Sequence, residues 1–293
     1  FETDSLDATR SVEFEVNSPT DAEGMFDVLT YQKGGALLRM LEQHLGEERF
    51  REGVRHYLRS HSYGNTETSD LWDALESTSG EPVRSTMDSW IWQPGYPVVS
   101  ASIDGGELVL RQRRFSFADS AADSIWMIPL SYRTTTGTSS LLLSEREQRF
   151  SIENDGPIII NAGGHAFVRV EYDNELRSRI TRNVLPTLDV LERYTLIDDA
   201  VAAVTANRLP AADFLAMLNE FRDEDALSVW QSITAGLRLV SRIIGDVQQR
   251  ATFQQVVRDL CSPTLSRLGD PATDEPELAG SLRGLLLRTI TLP

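Results

Sequence analysis

Tyr31 and Lys33 stand two residues apart in the stretch TYQKGG, residues 30–35, and Lys33 is the only lysine in a chain of 293 residues. An ammonium places a compact point charge with three donors, where a guanidinium is a wide planar fork. At a crowded helix start the smaller head fits where arginine does not, and there it could tie the tyrosine loop to a neighbouring carboxylate. Gly34 and Gly35 follow, and without a Cβ they would let another backbone come close. Two plainer readings stand beside these: Tyr31 is an aromatic packed at the start of a helix, and one lysine among twenty-eight basic residues survived by chance.

Other reactive side chains are few. The four histidines are His44, His56, His61 and His165. His56 and His61 are five apart on a predicted helix, roughly 140° around its axis, so they do not share a metal as an i, i+4 pair would. They are expected at the surface. Cys261, beside Leu260 in an apolar stripe, is expected to be a small core residue. Glu47, Glu48, Asp198 and Asp199 flank helices as solvated caps or dipole partners. H-E-x-x-H, C-x-x-C, G-x-S-x-G and a phosphate-cradling glycine loop are all missing. Motifs alone do not make this an enzyme.

Three zones must position these residues. From about 19 to 93 the apolar residues recur at helical spacing. Leu37, Leu38, Leu41 and Leu45 form one stripe, and Phe50, Val54, Tyr57 and Leu58 the next, with Gly46 between them. Thr68 or Ser69 is expected to cap a third helix ended by Gly80, and a fourth runs from Pro82 to about Ile91. From Val98 to Tyr172 the period is two. VVSASIDGGELVLRQRR predicts a hairpin on an Asp104-Gly105 turn. IWMIPLSYRT, SSLLLS, PIII and AFVRVEY predict further strands of a small antiparallel sandwich. In the last of these Val168, Val170 and Tyr172 share one face and Phe167, Arg169 and Glu171 the other, a pattern that domain packing explains better than a ligand. After Asp173 about six helical segments follow, broken near Pro186, Pro210, Gly245, Pro263 and Pro276. They suit a bundle or curved solenoid.

Composition bounds the function. Hydrophobic residues make up 41% and charged residues 25%, as in a folded, soluble protein. A net charge of −16 leaves no basic stripe for nucleic acid or an anionic membrane. No apolar run approaches the roughly 20 residues that span a bilayer, and the sequence carries no signal-peptide pattern. The single cysteine fits a reducing, cytoplasmic setting. The opening FETDSLDATR has no initiator methionine, as expected of a processed product or a piece of a longer polypeptide.

The segment FDVLTYQKGGALLRMLEQHLGEERFREGVRHYLRSHSYGNTETSDLWDALESTSG, followed by MDSWIWQPGYPVV, closely resembles the aminopeptidase N and puromycin-sensitive aminopeptidase family of zinc exopeptidases. Its Y-x-K-G segment, leucine-rich helix, "lGe..F..G...Y" helix, "yGN..T.DLW" turn and "W..Q.GyP" exit occur in order. IPLSYRT, INAGGHAFVRVEYD, LERYTLIDDAVAAVTANRL and EDALSVW extend the likeness over essentially the whole chain. The resemblance implies an α+β, multidomain fold: residues 1–95 as the helical end of a thermolysin-like catalytic domain, 96–174 as a β-sandwich, and 175–293 as the start of a C-terminal α-helical domain. It further implies a zinc-dependent aminopeptidase acting on peptide substrates. In it Tyr31 stabilises the tetrahedral intermediate, with Lys33 and Gly34 in support.

The family's G-x-M-E-N loop, H-E-x-x-H helix and glutamate ligand do not occur in these 293 residues. The chain by itself is therefore expected to bind no zinc and to be inactive. Its first partner would be the missing N-terminal part of the same polypeptide. A non-catalytic scaffold or protein-interaction module of the same architecture is the competing function class.

Overall fold

Helices, then strands, then helices follow one another along the chain, giving a mixed α+β fold with two small sheets. The computed structural model describes residues 1–117, 123–152, 156–271 and 275–292. They form two compact units, Phe1–Leu176 and Arg177–Pro293.

In the first unit Ser18 caps α1 (Pro19–Gly24) by accepting from Asp21 N. A five-residue π-turn, Leu29–Lys33, runs directly into α2 (Gly34–Leu45). This helix buries Leu37, Met40, Leu41 and Leu45, while Leu38 stays exposed. Gly46, at φ +82°, breaks the run before α3 (Glu47–Ser60). The expected stripe on α3 is not a buried one: Gly53 is its buried residue, and Leu58 is exposed. Close approach to α4 (Thr68–Ser79) is the reason, since a Cβ at Gly53 would meet Leu75 Cδ2 at 2.5 Å. The cap of α4 is neither Thr68 nor Ser69. Glu67 and Asp70 satisfy one another's backbone N–H groups in a reciprocal box, which starts the helix one residue earlier.

Helix α5 (Val83–Ile91) ends in the WIWQPGYP exit, and hydrogen bonds explain that motif. Trp90 Nε1 donates to Met127 O at 2.8 Å, and Gln93 Nε2 to Ile125 O at 3.0 Å. Both fasten the helix end to the lead of a strand.

Strands β1 (Pro97–Asp104) and β2 (Glu107–Arg114) form the predicted hairpin. Its two loop residues are Gly105 and Gly106, at φ +60° and +85°, and not Asp104-Gly105. Strands β3 (Ile128–Thr134), β4 (Gly137–Leu143), β5 (Glu147–Ser151), β6 (Ile159–Ile160) and β7 (Arg169–Tyr172) complete sheets ordered β5-β2-β1-β7 and β4-β3-β6. Two features depart from the expected antiparallel set. The polar edge strand β5 has too little apolar alternation to stand out in sequence, and β7 pairs parallel to β1. The last strand can run beside the first in the same direction because the chain visits the other sheet between them. Tyr172 Oη accepts from Ile160 N at 2.8 Å and donates to Ile160 O at 3.2 Å, tying the sheets together.

The second unit takes up α6 (Asn174–Asn183) from Arg177 onward and continues through α7 (Val190–Thr205), α8 (Ala211–Leu218), α9 (Leu227–Ile243), α10 (Val247–Leu268) and α11 (Glu277–Ile290). Pro210, Gly245 and Pro276 fall between helices, and Pro186 sits in a 3-10 turn. Pro263 does not break the chain but lies within α10. An interior proline costs about 3 kcal/mol of helix. Burial of Phe253, Val257, Leu260 and Cys261 on one side of it, and of Thr264 on the other, holds the helix through. Arg193 grips Glu224 through Nε at 2.6 Å and Nη2 at 3.1 Å, and Glu224 O accepts from Trp230 Nε1 at 2.9 Å. This clamp joins the LERY and EDALSVW segments. Among the described residues no helix is long and apolar enough to cross a membrane.

Candidate functional site

Tyr31 and Lys33 project to opposite sides of the π-turn. Asp27 starts it, its Oδ1 accepting from Leu29 N at 2.9 Å and Thr30 N at 3.0 Å, and Arg10 pairs with the same carboxylate at 2.7 Å. Gly34 N–H reaches back to Leu29 O, five residues away, which closes the wide ladder. Two positions along a helical turn give nearly opposite directions. Tyr31 is accordingly 62% exposed, and Lys33 only 3%.

Tyr31 lines a cleft of about 880 Å³ in the first unit. One wall is the extended segment carrying Val12, Phe14 and Val16, and the others come from α2, α4 and α5 through Leu38, Leu71, Trp72 and Met87. Its lining is mostly apolar, with hydroxyls at Thr30, Tyr31, Tyr57, Thr66 and Thr68 and carboxylates at Glu13 and Glu67. Tyr57 Oη and Thr66 Oγ1 are 2.7 Å apart and join α3 to the turn before α4.

Lys33 ends in a buried polar knot. Its Nζ donates to Gly95 O at 2.8 Å and lies 2.8 Å from Asp4 Oδ2, a charge contact rather than an aligned hydrogen bond. Asp4 Oδ1 accepts from Gly95 N at 3.0 Å and from Thr9 Oγ1 at 2.8 Å. The two charged side chains thus hold both polar groups of one peptide residue. Both are 2% exposed in their side chains. Burial pushes the Lys33 ammonium below its ordinary pKa, and the Asp4 charge opposes that shift. Gly95 is at φ +81°, and a Cβ there would meet Arg114 Nε at 2.5 Å. Both the left-handed backbone and the close Arg114 side chain favour glycine at 95.

That geometry supplies the carboxylate partner left open for Lys33. Asp4 was not singled out in sequence, because one acidic residue among 44 carries no mark of its partner. The close backbone approach expected at Gly34 and Gly35 is not found. A Cβ at Gly34 would meet only Val12 Cγ1, at 4.0 Å, and one at Gly35 nothing within 4 Å, because both glycines border the cleft.

The remaining candidates stay apart. His56 is exposed, while His44, His61 and His165 are half-buried, and burial pushes the His44 imidazole below its ordinary pKa. Cys261 is buried, and its thiol is pushed up to about 12. Among the described residues no three His, Cys, Asp or Glu side chains gather where they could hold a metal ion, so this residue set does not fit zinc. Phe167, two residues before β7, and Arg169, at its start, meet Phe1: the rings stack at 4.4 Å, and the guanidinium lies 4.6 Å from the Phe1 ring centroid. That is packing within the unit.

Comparison with known proteins agrees with the order of these pieces. Residues 1–90 match the model of the peptidase family M1 domain, and residues 157–292 that of the ERAP1-like C-terminal domain. The chain is 32% identical to tricorn protease-interacting factor F2 of Thermoplasma acidophilum over 99% of its length and 36% of that protein. It is 31% identical to aminopeptidase M1-D of Oryza sativa, over 97% of this chain and 35% of the relative. Aminopeptidase N of Lactococcus lactis is 32% identical, over 97% of this chain and 34% of the relative. The chain spans about a third of the length of these curated relatives. The chain belongs to the aminopeptidase N family of peptidases and corresponds to the C-terminal portion of its members.

Proposed function

We propose that this chain is the C-terminal portion of a zinc-dependent aminopeptidase that removes N-terminal residues from peptides, and that Tyr31 stabilises the tetrahedral intermediate in the complete enzyme. One observation carries the reading. In a segment matched by the peptidase family model, the phenol is exposed on the wall of a cleft instead of packed inside. A phenol donates a hydrogen bond to an oxyanion without adding a full charge to the ground state, and removing one such donor costs about 100- to 1,000-fold in turnover. Lys33 supports the turn from behind, and Gly34 keeps the cleft wall free of a side chain.

In this reading residues 1–95 form the helical end of a thermolysin-like catalytic domain, 96–174 a β-sandwich and 175–293 the start of a helical domain. In the same reading the zinc ligands belong to the remaining part of the polypeptide. The chain by itself is inactive, works in the cytoplasm, and has that remaining part and a peptide as partners, with no nucleic acid or membrane involved.

Kinetics of Tyr31→Phe in the complete polypeptide tests the reading. We expect kcat on aminoacyl-coumarin substrates to fall about 100- to 1,000-fold with KM nearly unchanged, and an unchanged kcat refutes it. A second reading, a non-catalytic interaction module, draws on the name of the Thermoplasma relative, which marks that protein as interacting with tricorn protease. A complete polypeptide that binds a protease and turns over no peptide would favour it.

A further inference from the structure

We infer that Asp4 is a positioning residue for Tyr31, acting through Lys33 and the Gly95 peptide; the inference rests on the reading of Tyr31 as oxyanion donor. A π-turn carries one residue more than the α-helix it leads into, and such turns are rare. Relaxation of Leu29–Lys33 to α geometry would rotate the residues before α2 by about one position, roughly 100°. Either Tyr31 would then leave the cleft wall or the Lys33 ammonium would leave its site. An anchor at Lys33 therefore selects the register that points the phenol outward.

The anchor is built from outside the turn. Asp4 lies in a 3-10 turn, Thr3–Ser5, at the other end of a segment whose residues 12–16 form a cleft wall. Its carboxylate is aimed by Thr9 Oγ1 and Gly95 N, and its charge holds the ammonium that also donates to Gly95 O. Asp4, Thr9, Lys33 and Gly95 meet in one site, where the two charged side chains are buried. A buried ion pair is weak evidence for net stability, since desolvation offsets much of the attraction, but its geometry is strict. Fixing one turn in one register is the task to which strict geometry is suited.

The test uses Asp4→Asn, Asp4→Glu and the milder Thr9→Val. In the chain itself, labelled with 13C-tyrosine, the Tyr31 ring signal is identified among seven tyrosines by its loss in Tyr31→Phe. Both Asp4 variants are expected to shift or split that signal while Tyr132 and Tyr194 stay in place, and Thr9→Val to shift it less. An unmoved Tyr31 signal in folded Asp4→Asn overturns the inference. Should neither Asp4 variant fold, Thr9→Val decides by the same criterion.

In the complete polypeptide Asp4→Asn is expected to lower kcat about 10- to 100-fold with little change in KM, the scale of a misplaced catalytic group. Added to Tyr31→Phe it should have almost no further effect, because it acts only through the phenol. Independent, multiplying losses would overturn the inference. A kcat indifferent to Tyr31→Phe would sink the functional reading, while the ring signal would still judge the coupling of Asp4 to Tyr31.

Discussion

Replacing Lys33 by Met is expected to destabilise the first unit by about 3–5 kcal/mol, the cost of breaking a buried pair and leaving one charge uncompensated. At 2.8 Å and an effective dielectric of 20, the gross attraction between Lys33 and Asp4 is about 6 kcal/mol. Much of it offsets the desolvation that already pushes the ammonium's pKa down. Met fills the volume of the stem but leaves Asp4 with only Thr9 Oγ1 and Gly95 N as donors, and Gly95 O with none. Adding Asp4→Asn removes the stranded charge while its amide oxygen still accepts from both donors. The double variant should then lose only about 1–3 kcal/mol, the cost of the orphaned Gly95 carbonyl. Urea unfolding followed by tryptophan fluorescence suits the measurement, because Trp72, Trp90, Trp92 and Trp126 lie in the first unit and only Trp230 in the second. A Lys33→Met midpoint equal to the parent's, or a double variant weaker than the single, refutes the reasoning.

Lys33→Arg keeps the charge but forces a wide fork into the same site, and thermal unfolding should show a loss of about 1–3 kcal/mol from overpacking. Tyr31→Phe should leave the unfolding midpoint unchanged, since the side chain is mostly exposed. His44 is held below its ordinary pKa by burial, so the unfolded chain binds the extra proton. Its contribution is complete above the ordinary imidazole range and is lost as pH falls through and below that range. A melting series from neutral pH into the acid range should therefore decline less steeply in His44→Gln. Cys261, with its thiol raised to about 12, should react with a thiol reagent only after unfolding, which mass spectrometry reads directly.

Periodicity made much of this architecture legible. The helix carrying the leucine stripe, the stop at Gly46 and a hairpin between β1 and β2 all follow from local rules, though the hairpin turns one residue later than expected and Met40 takes the buried place expected of Leu38. Tertiary contacts decided the rest. Gly53 became the contact face of α3 only because Leu75 lies against it, and Pro263 stays helical because its neighbours on both sides are buried. The parallel pairing of β7 with β1 depends on where the chain returns, which no alternation pattern records. At the candidate site the sequence marked Lys33 as odd and Tyr31 by its motif. It could not show Asp4, because the carboxylate that answers a buried ammonium is chosen by packing. Nor could it tell a π-turn from an α-turn, since the two differ by a single residue of register.

Lys33 being the only lysine, amine acetylation with peptide mapping addresses the sealed ammonium without further labelling. The folded chain should leave Lys33 unmodified at mildly alkaline pH and take up one acetyl group there once urea unfolds it. Rapid acetylation of Lys33 in the folded chain would contradict the buried Asp4–Lys33–Gly95 knot, and with it the account of how Tyr31 is held toward the cleft.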